Sequence, residues 1–225
     1  MSPPVFVLLI PLLLISLAGC QSAMGNAALD MAKMAFMGAP QPTGADLDPR
    51  FSYIRVTAGK QVAFLALGNV DPHPQGGIEV YYSANREVLR LQEGRLVGAT
   101  GTFTEWRQVR LQGAPAWTEA LVHNRAMLWT RLRDVMPGYQ FNQEDRLTLR
   151  PISPPGHSAV VGIDPAGLRW FEERRISEDA KGRVDEWRPA RYALDVSAGL
   201  VTVVYGEQCL SADFCLTWQR WKAPQ

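Results

Sequence analysis

From Phe51 onward the chain alternates apolar and polar positions in short runs broken by Gly, Pro and Asn. The stretch IEVYYS, Ile78 to Ser83, sets Ile78, Val80 and Tyr82 against Glu79, Tyr81 and Ser83, the period-2 pattern of a half-buried strand. Ala84-Asn85-Arg86 then reads as a turn into EVLRLQ, and Glu93-Gly94-Arg95 as a turn into LVG, which predicts a three-strand meander. The same pattern marks FSYIRV, QVAFLAL, FTEWRQVRL, RAMLWTRLR, RLTLRPI, LRWFEERRI, RYALDV, LVTVVYG and CLTWQRW, about a dozen strands in all. Strands this close together leave no room for parallel crossovers. The expected fold is therefore all-β, an antiparallel meander-rich barrel or barrel-like sandwich, and closure into a barrel would remove the exposed edges. Pro151, Pro154, Pro155 and Gly156 interrupt the pattern, either between two lobes or in one long loop.

The first residues follow another rule. From Val5 to Leu17 every position is apolar except Ser16, with Pro11 inside, and Ala18 and Gly19 precede Cys20. A spanning helix needs about 20 predominantly apolar residues, so this run reads as a cleavable signal segment, 1–19, and not as a membrane anchor. The order Leu17-Ala18-Gly19-Cys20 resembles the bacterial lipobox. That resemblance implies cleavage before Cys20, a diacylglycerol thioether on its sulfur and an acyl chain on the new amine. Several acyl chains hold a protein firmly where one does not. Gln21 takes the place at which an aspartate commonly retains a lipoprotein at the inner membrane, so the implied address is the outer membrane, facing the periplasm.

Residues 20–47 read as a lipidated tether. NAALDMAKMAF, Asn26 to Phe36, is rich in helix formers with Asn26 as an N-cap, and GAPQPTGADLDP has linker composition. The β-domain is expected over 48–225. Its content suits one folded domain: 47% of the 225 residues are hydrophobic and there are seven tryptophans. With a formal net charge of +1 and no basic block interleaved with aromatics, nucleic acid is not an expected partner.

Once Cys20 is set aside, Cys209 and Cys215 remain as an even pair in an oxidising compartment. They read as a disulfide, with two buried thiols or a metal pair as the alternatives. The histidines, His73, His123 and His157, stand apart at no ligand spacing, so no metal or other cofactor is expected beyond the covalent lipid.

An enzyme would need a constellation that the motifs do not supply. There is no G-x-S-x-G, P-loop or G-x-G-x-x-G, and His157 beside Ser158 would point apart from it in an extended chain. Glu105, Glu172, Glu173 and Glu207 are the carboxylates available for glycoside chemistry, although FEERR reads more simply as a strand with a charged outer face. For binding, the tryptophans Trp106, Trp117, Trp129, Trp170, Trp187, Trp218 and Trp221 offer flat faces for sugar rings, beside Arg107, Arg169 and Arg220. The best candidates for glycan or partner contact are Trp218, Gln219 and Arg220 in TWQRW, with Trp106 and Trp170. Trp218 and Trp221 are out of phase on a strand and should face opposite sides.

Four segments carry a more specific likeness. LRDVMPGYQF (Leu132 to Phe141), VYGEQCLSADFCLTWQRW (Val204 to Trp221), DPRFSYIRV (Asp48 to Val56) and GIEVYYSANREVLRLQEGRLVG (Gly77 to Gly98) resemble the YjbF/GfcB family of exopolysaccharide and group 4 capsule lipoproteins. The resemblance implies an all-β, barrel-like outer-membrane lipoprotein that assists assembly or export of surface polysaccharide, and it offers no catalytic residues to carry over. The expected role is non-enzymatic, through binding of glycan or export-machinery proteins. The alternative function is a periplasmic polysaccharide-modifying enzyme, a hydrolase or lyase.

Overall fold

The computed structural model describes residues 44, 47–176, 187–197 and 199–222. Signal segment 1–19, Cys20 and the helix read over Asn26 to Phe36 lie outside the described residues. Every strand read from the alternation is present: β1 (Tyr53–Ala58), β2 (Gln61–Asp71), β3 (Ile78–Tyr82), β4 (Val88–Gln92), β5 (Arg95–Thr100), β6 (Glu105–Gln112), β7 (Met127–Met136), β8 (Gln140–Ile152), β9 (Arg169–Arg175), β10 (Ala190–Ser197), β11 (Leu200–Cys209) and β12 (Cys215–Trp221). Each pairs antiparallel with its neighbours in sequence, and β1 also pairs with β12, from Tyr53↔Trp221 to Ala58↔Leu216. The result is a closed up-and-down barrel. Between barrel and sandwich, the two architectures expected, closure decides for the barrel.

Closure gives the alternation an inside and an outside. Ile54, Leu65, Leu89, Leu147, Phe171, Tyr192 and Trp218 point inward into one continuous core. Arg90, Arg110, Arg146 and Arg174 lie on the outer face, which is the inverse of a lipid-facing barrel with its apolar outer band. Among the described residues no helix is long and apolar enough to cross a membrane. On β11, Val204 forms a bulge that lets Val203 and Gly206 both face inward. Gly206 is required there: an added Cβ would stand 2.3 Å from the Trp218 ring.

Two elements escaped the strand pattern. Helix α1 (Trp117–His123) lies between β6 and β7 and plugs the end of the barrel where β1 begins, burying Trp117 and Ala120. Trp117 donates to the Glu93 carbonyl at 2.7 Å, and the Arg95 guanidinium stacks on its ring at 3.8 Å while donating to Pro115 O at 2.8 Å. The Pro/Gly-rich break is a strap, residues 153–168, laid across the outer wall rather than a boundary between lobes. It covers a small cluster of Leu168, Trp170, Ala193 and Tyr205.

Toward the opposite end the interior carries charge. Arg131 donates through Nε to Asp145 at 3.0 Å and through Nη1 to Glu173 and Gln208, each at 3.2 Å. Arg133 Nη2 reaches Asp145 at 2.8 Å, and Arg175 Nε lies 3.1 Å from the same carboxylate. The Trp106 ring lies against both Arg131 and Arg133, at 4.6 and 4.8 Å. Burial pushes the Asp145 carboxyl up, but its three arginines outweigh burial and hold it below the ordinary range. For Glu173 burial wins over Arg131 and Arg95, and its pKa is raised.

Cys209 and Cys215 pair directly across β11 and β12 and are joined by a disulfide. Native protein should therefore resist alkylation at both positions until reduced, and replacing both by Ala should cost about 2 kcal/mol on the chain-entropy model, read by denaturant unfolding. Asp145→Asn would leave three guanidinium groups without their common carboxylate; a loss of about 3–5 kcal/mol is expected from the same measurement. Folded Glu173 holds its proton above the ordinary value of 4.5, so stability falls as pH rises from 4.5 through the raised pKa. Asp145 acts in the opposite sense, contributing above pH 3.8 and losing that contribution as pH falls through its lowered pKa. Glu173→Gln should thus gain on the wild type as pH rises, and a difference in Tm that is constant from pH 5 to 8 would contradict this origin.

Candidate functional site

The tryptophan-based surface expected from the sequence does not form, because the barrel uses those side chains as filling. Trp106 is 0% exposed inside the wall and donates to Leu210 O at 3.0 Å. Trp218 is also interior, over Gly206 and beside Tyr192. Trp170 faces outward but lies under the strap, donating to Pro165 O at 2.9 Å. Gln219 is buried beneath the same strap and bonds both main-chain groups of Val161, at 2.7 and 2.9 Å. Arg220 turns inward to Glu79, with two contacts of 2.9 Å, and donates to the Val203 carbonyl at 3.0 Å. Strand alternation therefore sends Trp218 and Arg220 to one face and Gln219 to the other. Trp221 follows Gln219 outward, against Phe64 at 5.4 Å, so the two tryptophans of TWQRW do face opposite sides. The same alternation surrounds Tyr81, whose hydroxyl is pushed up to about 12 by burial, opposed in part by Arg220.

The carboxylates are likewise dispersed. Glu172 lies on the outer wall among Arg150, Arg174 and Arg191, and Glu173 beside it points inward to Arg131. Burial raises the Glu172 pKa, but Arg174 and Arg150 reverse that and hold it low. Glu207 accepts a hydrogen bond from the Tyr205 hydroxyl at 2.8 Å, and Glu105 pairs with Arg107. His73 sits in the turn after β2, His123 ends α1, and His157 and Ser158 lie on the strap. Among the described residues no three His, Cys, Asp or Glu side chains gather to hold a metal ion.

An open, polar site lies elsewhere, on the outer wall at the seam between β5 and β6. These strands share a single paired position, Ala99↔Trp106, while β4–β5 pairs from Val88 to Gln92 and β6–β7 from Glu105 to Gln112. The cause is a bulge between Trp106 and Gln108, which re-aims the rest of β6 so that Val109 and Leu111 pack on the core. Arg107 is displaced outward, with Gln108, Arg110 and Gln112 following on the solvent side.

The splayed seam leaves a groove of about 640 Å³. Arg90 crosses it, donating to the Arg107 carbonyl at 3.3 Å, and its stem rests on Gly98, where a Cβ would approach Arg90 Cδ to 3.2 Å. Arg107 is held by Glu105 at 2.5 Å, and Arg110 bonds Asn142. The lower wall is built by the β2–β3 turn. Gln92 donates to the Gln75 and Gly76 carbonyls at 3.1 and 3.3 Å and lies 2.8 Å from His73 Nδ1. Three guanidinium groups thus share the groove with the amides of Gln75, Gln92, Gln108 and Gln112 and the carboxylate of Asp71, while Glu105 pairs with Arg107. This donor-rich lining suits a chain of hydroxyls and carboxylates, since guanidinium forks bind carboxylate by paired hydrogen bonds. Of the residues singled out in the sequence, Arg107 and His73 line it, and Glu105 holds Arg107 at its edge.

No family model matches the chain, and no curated protein matches it. Among solved structures, the crystal structure of the hypothetical lipoprotein YmcC from Escherichia coli (K12) is similar, with a TM-score of 0.55 at 16% identity, covering 92% of this chain and 100% of that one. The chain thus shares its fold with that lipoprotein over nearly its whole length.

Proposed function

We propose that this chain is a lipid-anchored lipoprotein of the outer membrane, acylated on Cys20 and facing the periplasm, that assists assembly or export of exopolysaccharide or capsule without acting as an enzyme. The observation that carries the reading is the Leu17-Ala18-Gly19-Cys20 order ahead of a barrel that shares the fold of a solved lipoprotein. The resemblance of four of its segments to the exopolysaccharide and capsule lipoproteins supplies the process. In this reading the β5–β6 groove meets the glycan, with Arg90, Arg107 and Arg110 as the contacts to acidic groups. Export-machinery proteins are the further partners. The dispersal of Glu105, Glu172, Glu173 and Glu207 supports the non-enzymatic role over a hydrolase or lyase, because Glu172 and Glu173 occupy opposite faces of one strand and cannot flank a single sugar bond.

Cys20→Ala should leave the precursor uncut or free the protein from membranes, read by fractionation and mass; a processed variant still recovered in membranes would refute the anchor. The glycan contact is tested by calorimetric titration of the detergent-solubilised protein with the acidic exopolysaccharide of its source. Each of Arg90→Ala, Arg107→Ala and Arg110→Ala is expected to weaken binding about tenfold, the worth of one charge-assisted hydrogen bond. Unchanged affinity in all three variants, with unaltered Tm, would remove the groove from the reading.

A further inference from the structure

Because the strands simply alternate in direction, one end of the barrel collects the start of β1, the end of β12, α1 and the turns after β2, β4, β8 and β10. Most of the large exposed aliphatic side chains lie at this same end. Val122 on α1 is 80% exposed, Leu200 at the head of β11 70% and Leu128 at the head of β7 68%, while Phe51, Val70 and Val196 are about half exposed. In ring order these positions run from β2 and β1 through β11 and β10 to β7 and α1, so they spread along the rim rather than crowd one strand and leave the sector of β3, β4 and β5 without one. A cavity of about 690 Å³ links two of its parts, running from Leu121 on α1 past Pro154 to Val196. Charges of both signs lie at the same end: Arg50, paired with Asp48, then Arg125, Arg169 and Lys222, and the carboxylates of Asp71, Glu93 and Glu119.

We infer that this end of the barrel docks on a phospholipid surface, with Val122, Leu128 and Leu200 entering the boundary between headgroups and acyl chains. The inference rests on the Cys20 anchor. The chain passes from Cys20 into β1 at this rim, so the acylated cysteine and the apolar side chains meet the bilayer from the same side. Gly44 lies against the Trp221 indole on β12, where an added Cβ would stand 3.0 Å from Nε1. Exposed apolar side chains on a rim that also carries charge suit an interfacial surface, in which burial of the apolar groups holds the body. The opposite end presents a different surface, with the aromatic rings Tyr82, Phe103, Tyr139 and Phe141.

The cysteine content makes the test clean, because Cys209 and Cys215 are joined and an acylated Cys20 has no thiol. Val122→Cys, Leu200→Cys and, at the opposite end, Tyr139→Cys each then add one reactive thiol to the full mature protein. Each is labelled with a polarity-sensitive fluorophore and reconstituted into vesicles of phosphatidylethanolamine and phosphatidylglycerol. Flotation reports the anchor, and quenching by lipid-borne nitroxide reports the docking. The expected result is flotation of all three, with a blue shift and loss of most emission at positions 122 and 200 and neither at 139. Adding Leu128→Asp to the position 200 label should return its emission toward that of water. Flotation without quenching at 122 and 200 would overturn the docking and leave the anchor standing, as would equal quenching at 139. Failure to float would overturn both.

Discussion

The pairing of β1 with β12 is the constraint on which the rest of the molecule depends. Those strands begin and end the barrel, and only their ladder, from Tyr53↔Trp221 to Ala58↔Leu216, turns a meander into a ring. An open sheet of this length would leave two edges of unpaired backbone. Once the ring is closed, every strand has one face with no access to water, and each side chain on that face must be packed or paired.

Twelve strands enclose more space than aliphatic side chains fill, and the solution here is large and partly polar. Trp106, Trp117, Trp129, Tyr192 and Trp218 supply volume. Arg95, Arg131 and Arg133 supply length, lying on the faces of Trp117 and Trp106. A buried guanidinium is tolerated only when its donors are met, and Asp145, Glu173 and Gln208 do this for Arg131. The tryptophans that suggest sugar-binding platforms in the sequence are thus consumed by the demand for interior volume. The arginines are divided between the interior and the outer wall, and the second group makes the groove.

The groove is a consequence of one irregularity. A bulge between Trp106 and Gln108 lets β6 leave β5 after a single pair, so the wall opens where Arg90 reaches across to the Arg107 carbonyl. A regular ladder would have buried that backbone and left a flat charged face. The strap of residues 153–168 has the opposite effect on the far wall, where it covers Trp170, Tyr205 and Gln219 and removes them from solvent.

Strand number and strand direction were legible in the sequence, because period-2 alternation with short turns permits little else. The inward face was not legible at Ile78 to Ser83: Tyr81 and Glu79 turn inward opposite Leu89 and Leu91, while the apolar set Ile78, Val80 and Tyr82 shares the outer face with Arg90. The pairing of Cys209 with Cys215 was legible for a similar local reason, since two strands joined by a short loop bring their facing ends together. Helix α1 was not, because Trp117 to His123 is too short for helical periodicity to stand out. The groove was hidden as well: a bulge adds one residue without a signature in hydropathy, and it is what puts Arg110 on the same outer face as Arg107 and Arg90. Sequence by itself determined which residues alternate and where the chain turns, because those depend on neighbours. Only the tertiary structure decided which tryptophans were core and which arginines were open to solvent, because that choice depends on the volume of a closed ring and on a strap that no local pattern describes.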